Sequence, residues 1–255
     1  MSVRVLFLHG GPGMTAEIER RRFGTTLPVH WWDQPTVGPN AEQPFEVLIN
    51  AAVTEVIRLS TERGDQIDLL ANSFGAYVTR ALVDRVPERI GAISICGGVW
   101  DLSTAILRLG FRFAERNGDE DLNGACRRAA QVDTPEGYVA LLARIAAIPG
   151  FLDCYWGPSA LEPRETMRSL AAEGRLIDWH TCQSVMTAAL VTPQIPLRSP
   201  HPGKVRVLLG RHDPYFDQSD VDAWKTLWPG VAVEVVETGH FPHLELPPSV
   251  WMPGE

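Results

Sequence analysis

The sequence predicts an α/β protein: a mostly parallel sheet of about six strands joined by crossover helices, interrupted once by a long helical insertion. Three observations predict it. Short β-branched-rich apolar runs alternate with longer segments at helical spacing, the rhythm of consecutive βαβ units. The opening run, "VRVLFLHGG", is apolar throughout and ends in glycines, as a parallel strand covered on both faces does. Between Asp101 and about Pro196 no run reads as a strand, yet strand rhythm resumes afterwards, so this block is expected as a cap or lid inserted between two sheet strands. The predicted division is a core of residues 1–100 and 197–255 and a helical cap of residues 101–196.

Each element follows in order. After the opening strand, "LPVHWWDQ" is a second candidate strand, followed by the loop "PTVGPNAEQP". Residues 44–63 carry Phe45, Leu48, Ile49, Ala52, Val53, Val56 and Ile57 at helical spacing, and Gly64 stops that helix. "QIDLLAN" returns to strand character, residues 74–86 to helix before Pro87, and "RIGAISICGG" to strand. Five helical segments follow, at 103–116, 121–131, 135–147, 163–173 and 178–190. "KVRVLLG" (204–210), a helix around 217–227 and "VAVEVVETG" (231–239) close the chain. There is no internal repeat and no low-complexity tract.

With 255 residues, 45% of them hydrophobic and eight of them tryptophan, the chain can bury a sizeable core without a disulfide or metal staple. A formal net charge of −8 argues against a nucleic-acid partner, and Arg20-Arg21-Arg22 is too short a basic cluster to reverse that. The cysteines (Cys96, Cys126, Cys154, Cys182) form no C-x-x-C pair and are expected as reduced, mostly buried thiols. The start of the chain lacks a signal-peptide pattern, and no run approaches the roughly 20 apolar residues that cross a bilayer. The expectation is a soluble cytoplasmic protein acting on a small molecule, with no membrane or nucleic-acid partner.

Four chemical signals stand at predicted strand ends, where open α/β sheets bind ligands. "HGGPG" (residues 9–13) ends the first strand; its glycines permit positive φ and free backbone N–H groups for an anion, or simply make a turn. "ANSFG" places Ser73 between strand and helix with small residues at −2 (Ala71) and +2 (Gly75), either as a helix N-cap or as a nucleophile on a strained turn. "LLGRHDPYF" puts Asp213 a few residues past a strand, in a dipeptide that also simply makes turns. "VVETGHFPHLE" sets His240 after the last strand, behind a glycine.

Glycine-rich loop, serine elbow, acid and histidine, in this order and each at a strand end, resemble the α/β-hydrolase superfamily. The similarity covers nearly the whole chain, with the helical block matching in position rather than in sequence. The resemblance implies a triad of Ser73 as nucleophile, His240 as base and Asp213 as its orienter. It implies an oxyanion hole from the Phe74 N–H and one from Gly10 or Gly11. No cofactor or metal is implied; His240-x-x-His243 lies after a glycine and encloses a proline, whereas zinc enzymes carry such a pair on a helix. Asp101, after "SICGGVW", is the alternative acid, and Asp217 and Asp220 belong to the start of the following helix.

"HGGPG" with "HWWDQP" is similar to proline iminopeptidases, although "PTVGPN" and the Ala71 elbow depart from that branch. Those enzymes hold a substrate amine with cap carboxylates, and Asp153, Glu162, Glu165, Glu173 and Asp178 are available here, or form a solvated face. "NSFG" resembles carbon–carbon bond hydrolases of aromatic ring cleavage, with Phe241 where those often place tryptophan. Arg108, Arg112 and Arg144 could hold a substrate carboxylate, or lie on an exposed helix face. Tyr155, Trp156, Trp179 and His180, with Phe241, are candidates for a substrate pocket; packing within the cap is the other reading. Two strands that usually precede the glycine-rich loop in this fold are missing, which makes "LPVHWWD" an edge strand and a homodimer near it, or through the cap, an expectation. The expected function is a serine hydrolase cleaving an ester, thioester or amide through an acyl-serine. The alternatives are a carbon–carbon bond hydrolase or lyase on the same triad, and a non-catalytic binding module.

Overall fold

In a computed structural model, which describes residues 2–38, 40–158, 160–192 and 204–254, six strands form one sheet. They are β1 (Val5–Leu8), β2 (Val29–Trp32), β3 (Ile67–Asn72), β4 (Ile90–Cys96), β5 (Val205–Gly210) and β6 (Ala232–Val236). The spatial order is β2-β1-β3-β4-β5-β6, and all five pairings are parallel, with Val5 opposite both Val29 and Asp68. β2 is an edge strand, as expected.

The apolar strands are apolar because both faces are covered. Leu6, Leu8, Leu69, Ala71, Ile93, Ile95, Val207 and Leu209 join one buried cluster, while Val5, Phe7, Leu70, Cys96 and Leu208 join another. Neighbouring residues thus serve opposite sides of the sheet, as the period of two requires. The first cluster takes in α2 (Pro44–Arg63) and α3 (Gly75–Arg85), and α2 ends at Gly64 in the left-handed region, as its sequence predicts.

Between β4 and β5 the chain forms α4 (Leu102–Asn117), α5 (Glu120–Val132), α6 (Pro135–Ala146), α7 (Leu161–Ala172) and α8 (Trp179–Val191). Asp101, Asp119, Thr134 and Asp178 cap four of them by accepting backbone N–H bonds. The expected end of this block at about Pro196 lies outside the described residues. α9 (Ser219–Leu227) matches its predicted place. The sequence reading missed α1 (Glu17–Phe23), whose "EIERRRF" offers only two apolar residues, and the one-turn helices α10 (Pro242–Glu245) and α11 (Pro248–Trp251). Among the described residues no helix is long and apolar enough to cross a membrane. Because every strand is parallel, the turns after β1, β3, β4, β5 and β6 gather at one edge of the sheet.

Candidate active site

Ser73 follows β3 directly and has φ of 51°, one of two non-glycine residues in the left-handed region among those described. That conformation costs an L-residue of order 1–2 kcal/mol, so the turn is held by its surroundings. Ser73 caps nothing: the N-cap position of α3 belongs to Phe74, without a side-chain bond. Gly75 is required, since a Cβ there would stand 2.1 Å from the Leu8 carbonyl oxygen. Ala71 is fully buried in regular ladder pairing with Leu8 and Ile95, and its methyl does not prevent the turn. Asn72 ties the turn down from the side: its amide donates to Cys96 O (2.9 Å) and His240 O (3.1 Å).

The His240 ring lies against Asp213, from the loop after β5. Nδ1 is 2.7 Å from Asp213 Oδ2, and both side chains are almost wholly buried. A carboxylate at Nδ1 fixes the hydrogen there, leaving Nε2 as the free lone pair. The Tyr215 N–H donates to the other Asp213 oxygen at 2.8 Å. Asp101, the alternative acid, is instead the N-cap of α4, accepting from Thr104 N at 2.6 Å. Asp217 accepts from Ser219 N (3.0 Å), and Asp220 pairs with Arg108 (2.7 Å).

The glycine-rich loop is shaped by a buried histidine. His9 Nδ1–H donates to Gly10 O (2.9 Å), and its Nε2 accepts from the Gln34 N–H (3.1 Å). This pattern needs a neutral ring, and burial accordingly pushes the His9 pKa down. Gly10 has no room for a side chain, since a Cβ would lie 2.9 Å from Ser73 Cβ. Among the described residues the backbone N–H groups of Gly10, Gly11 and Phe74 donate to no acceptor.

One cavity of about 410 Å³ is walled by Gly10, Gly11, Ser73, Phe74 and His240 on the sheet side, with Asp213 behind His240 and outside the wall. Leu102, Ile106, Leu142, Phe151 and Met186, among other apolar side chains, close it from the helical block. Of the five expected pocket residues, Tyr155, Trp179 and Phe241 line it. Trp156 does not: it is buried behind the wall with its ring 4.6 Å from that of Phe241. His180 is exposed near the start of α8 and also lies outside the wall, because a facing direction is set by how the helix docks. The sequence reading missed Tyr215, whose hydroxyl is 2.9 Å from that of Tyr155; the two rings flank His240 at 4.9 and 5.4 Å. It also missed Glu19, which lines the cavity and pairs with buried His243 at 2.9 Å.

The charges that were open to either a substrate or a solvated face lie off the cavity wall. Asp153 pairs with Arg164 and Arg168, Glu162 with Arg22, Glu165 with Arg168 and Glu173 with Arg175, while Asp178 caps α8. Arg108 and Arg112 bond to the loop after β5, and Arg144 is exposed; no arginine or lysine is among the described residues of the cavity wall.

Solved structures of related shape are known at low sequence identity. A proline iminopeptidase-related protein from Thermus thermophilus is 21% identical, with a TM-score of 0.64, over 96% of this chain and 85% of that one. Est816, an N-acyl homoserine lactone degrading enzyme, is 16% identical at a TM-score of 0.61 over 98% and 91%. The 2-hydroxy-6-oxo-6-phenylhexa-2,4-dienoate hydrolase from Rhodococcus sp. strain RHA1 is 20% identical at 0.54 over 96% and 86%. At these identities the likeness is one of fold. No curated protein matches the chain. The model of the alpha/beta hydrolase family, however, matches residues 5–250, and by that measure, together with the all-parallel sheet and its serine elbow, the chain belongs to this family.

Proposed function

We propose that the protein is a serine hydrolase that cleaves an ester or closely related acyl compound with an uncharged, largely apolar body, through an acyl-Ser73 intermediate. The observation that carries this reading is Ser73 at φ of 51° on the wall of a cavity that His240, bonded to Asp213, also lines. The helical block then serves as the cap over that cavity.

In this mechanism His240 Nε2 takes the Ser73 hydroxyl proton as Oγ attacks the substrate carbonyl carbon. The electron pair of the carbonyl moves to its oxygen, which accepts from the Phe74 N–H and from Gly10 or Gly11. One such donor is worth about 3–4 kcal/mol in the transition state. His240 passes its proton to the leaving oxygen as the bond to carbon breaks. Water, deprotonated by the same nitrogen, then releases the acid and restores Ser73. Asp213 stays ionised and holds the imidazolium.

The cavity wall favours neutral substrates. Its described residues include one carboxyl group, Glu19, and no arginine or lysine, so an anionic substrate meets no complementary charge. This weighs against the carbon–carbon hydrolase alternative for substrates that carry a carboxylate. The complete set of nucleophile, base, acid and free N–H donors weighs against a non-catalytic module.

The test is labelling by a fluorophosphonate followed by a panel of neutral and dicarboxylic acyl esters. Ser73 is expected to be labelled, and Ser73→Ala to lose labelling and at least about 10⁴-fold in kcat. Failure of the folded wild-type protein to label overturns the reading.

A further inference from the structure

The turn that carries Asp213 is gripped from outside by α4. The Arg112 guanidinium donates to the carbonyl oxygens of Asp213 (3.0 Å), Pro214 (2.9 Å) and Phe216 (2.6 Å). Arg108, one helical turn earlier on the same face, donates to Tyr215 O and to Asp220 Oδ2. The carbonyls of residues 213–216 are therefore all held by two side chains of one helix. With its carbonyls drawn to one side, the turn presents an N–H on the other: that of Tyr215, which bonds Asp213 Oδ1 at 2.8 Å. Oδ2 is then left for His240 Nδ1 at 2.7 Å.

We propose that Arg112 is a positioning residue for the acid of the triad: its guanidinium fixes the 213–216 turn and, through it, the orientation of Asp213 toward His240. The proposal rests on the triad reading above and extends it to a residue outside the cavity. A guanidinium suits the task because its planar fork spans several acceptors, which a compact ammonium does not. These bonds also account for why Arg112 is unavailable to a substrate carboxylate. Helix α4 thus does more than wall the cavity: the reactivity of Ser73 depends on how it docks.

Arg112 is also the cleaner of the two arginines to remove. Arg108 faces the buried carboxylate of Asp220, which its loss would leave unpaired. Arg112 is exposed and bonds to neutral carbonyls; the Asp217 carboxylate, which also feels its charge, is exposed to solvent and bonded to Ser219.

The experiment measures the second-order rate of fluorophosphonate inactivation from about pH 5 to 9 for the full-length wild type, Arg112→Ala and Arg112→Lys, with Ser73→Ala as the blank. Denaturant unfolding of each variant runs alongside. Arg112→Ala is expected to react about tenfold more slowly on the plateau. Its acid limb should move to lower pH, because a poorly oriented Asp213 stabilises the imidazolium less. Arg112→Lys should fall between, and millimolar guanidinium ion should restore part of the Ala variant's rate. A purely structural role would lower the unfolding free energy while leaving the limb in place and the rate beyond rescue; that result, or a wild-type rate and limb, overturns the proposal. Should Arg112→Ala fail to fold, the Lys variant carries the same comparison. A wild type that does not label, or a blank that does, removes the triad reading itself, an outcome distinct from a labelled wild type indifferent to position 112.

Discussion

Ser73 holds a left-handed conformation that a Cβ disfavours, and its neighbours keep it there: Gly75 lets α3 start against the Leu8 carbonyl, and Asn72 anchors the turn to Cys96 and His240. The strain has a measurable consequence that is independent of turnover. Ser73→Gly and Ser73→Ala both remove the hydroxyl, but glycine relieves about 1–2 kcal/mol of left-handed strain at the expense of about 0.4–1 kcal/mol of extra chain entropy. Urea unfolding should therefore find Ser73→Gly more stable than Ser73→Ala by up to about 1.5 kcal/mol. A Ser73→Ala variant more stable than Ser73→Gly would mean that the turn is unstrained, because the entropy cost of glycine would then stand alone. At this scale the sequence is most informative where the chemistry is dictated by backbone. The placement of Ser73, Asp213 and His240 at strand ends was legible because each stands at a turn of recognisable composition. Trp156 and His180 stayed open between pocket and packing, because nothing in a helical or turn pattern states which way a side chain faces once the element docks. Tyr215 stands two residues after Asp213, and that proximity was the available signal for it.

Among the elements, α10 has a role that its four residues conceal. The Glu245 carboxylate accepts from Gly239 N (2.9 Å), just before His240, and from Gly157 N (3.1 Å), just after the 151–155 turn. With the His240 N–H donating to Tyr155 O at 2.6 Å, it clamps the segment 155–157 to the loop that carries His240. Glu245→Ala leaves two N–H groups without their acceptor and should cost about 1–3 kcal/mol in denaturant unfolding, together with slower fluorophosphonate labelling. Burial raises the Glu245 pKa above 4.5 against the two backbone bonds, which lower it. The folded state then binds more protons than the unfolded one between 4.5 and the raised value, so this group's contribution to stability falls as pH rises through that window. Glu245→Gln, which cannot titrate, should gain relative to wild type as pH is raised through it; a constant difference would contradict the assignment. Helices α2 to α9 were readable because each buries one apolar face against a neighbour. The shorter α1 was not, because its burial includes Glu19, which pairs with His243 on α10, a contact between residues 224 positions apart.

For the molecule as a whole, the proposed function makes the cavity volume of about 410 Å³ and its apolar wall the source of selectivity. Each methylene buried there is worth about 0.8 kcal/mol, so kcat/KM for a series of straight-chain acyl esters should rise about fourfold per carbon until the cavity is filled. Leu142→Trp, on the α6 side of the wall, should move the optimum to shorter chains; an optimum that stays in place would put the acyl group elsewhere. The α/β architecture, the helical block between β4 and β5 and the order of serine, acid and histidine could all be read from the chain alone, because they depend on local periodicity and on turn chemistry written within a few residues. Folding in three dimensions was needed to show which aromatic residues face the cavity, that Arg108 and Arg112 hold the acid loop rather than a substrate, that Asp101 is a helix cap, and that Glu245 joins the helical block to the histidine loop. Those outcomes depend on the docking of elements far apart in the chain, where the same side chain serves equally well as a ligand, a cap or a strap until its partner is brought beside it.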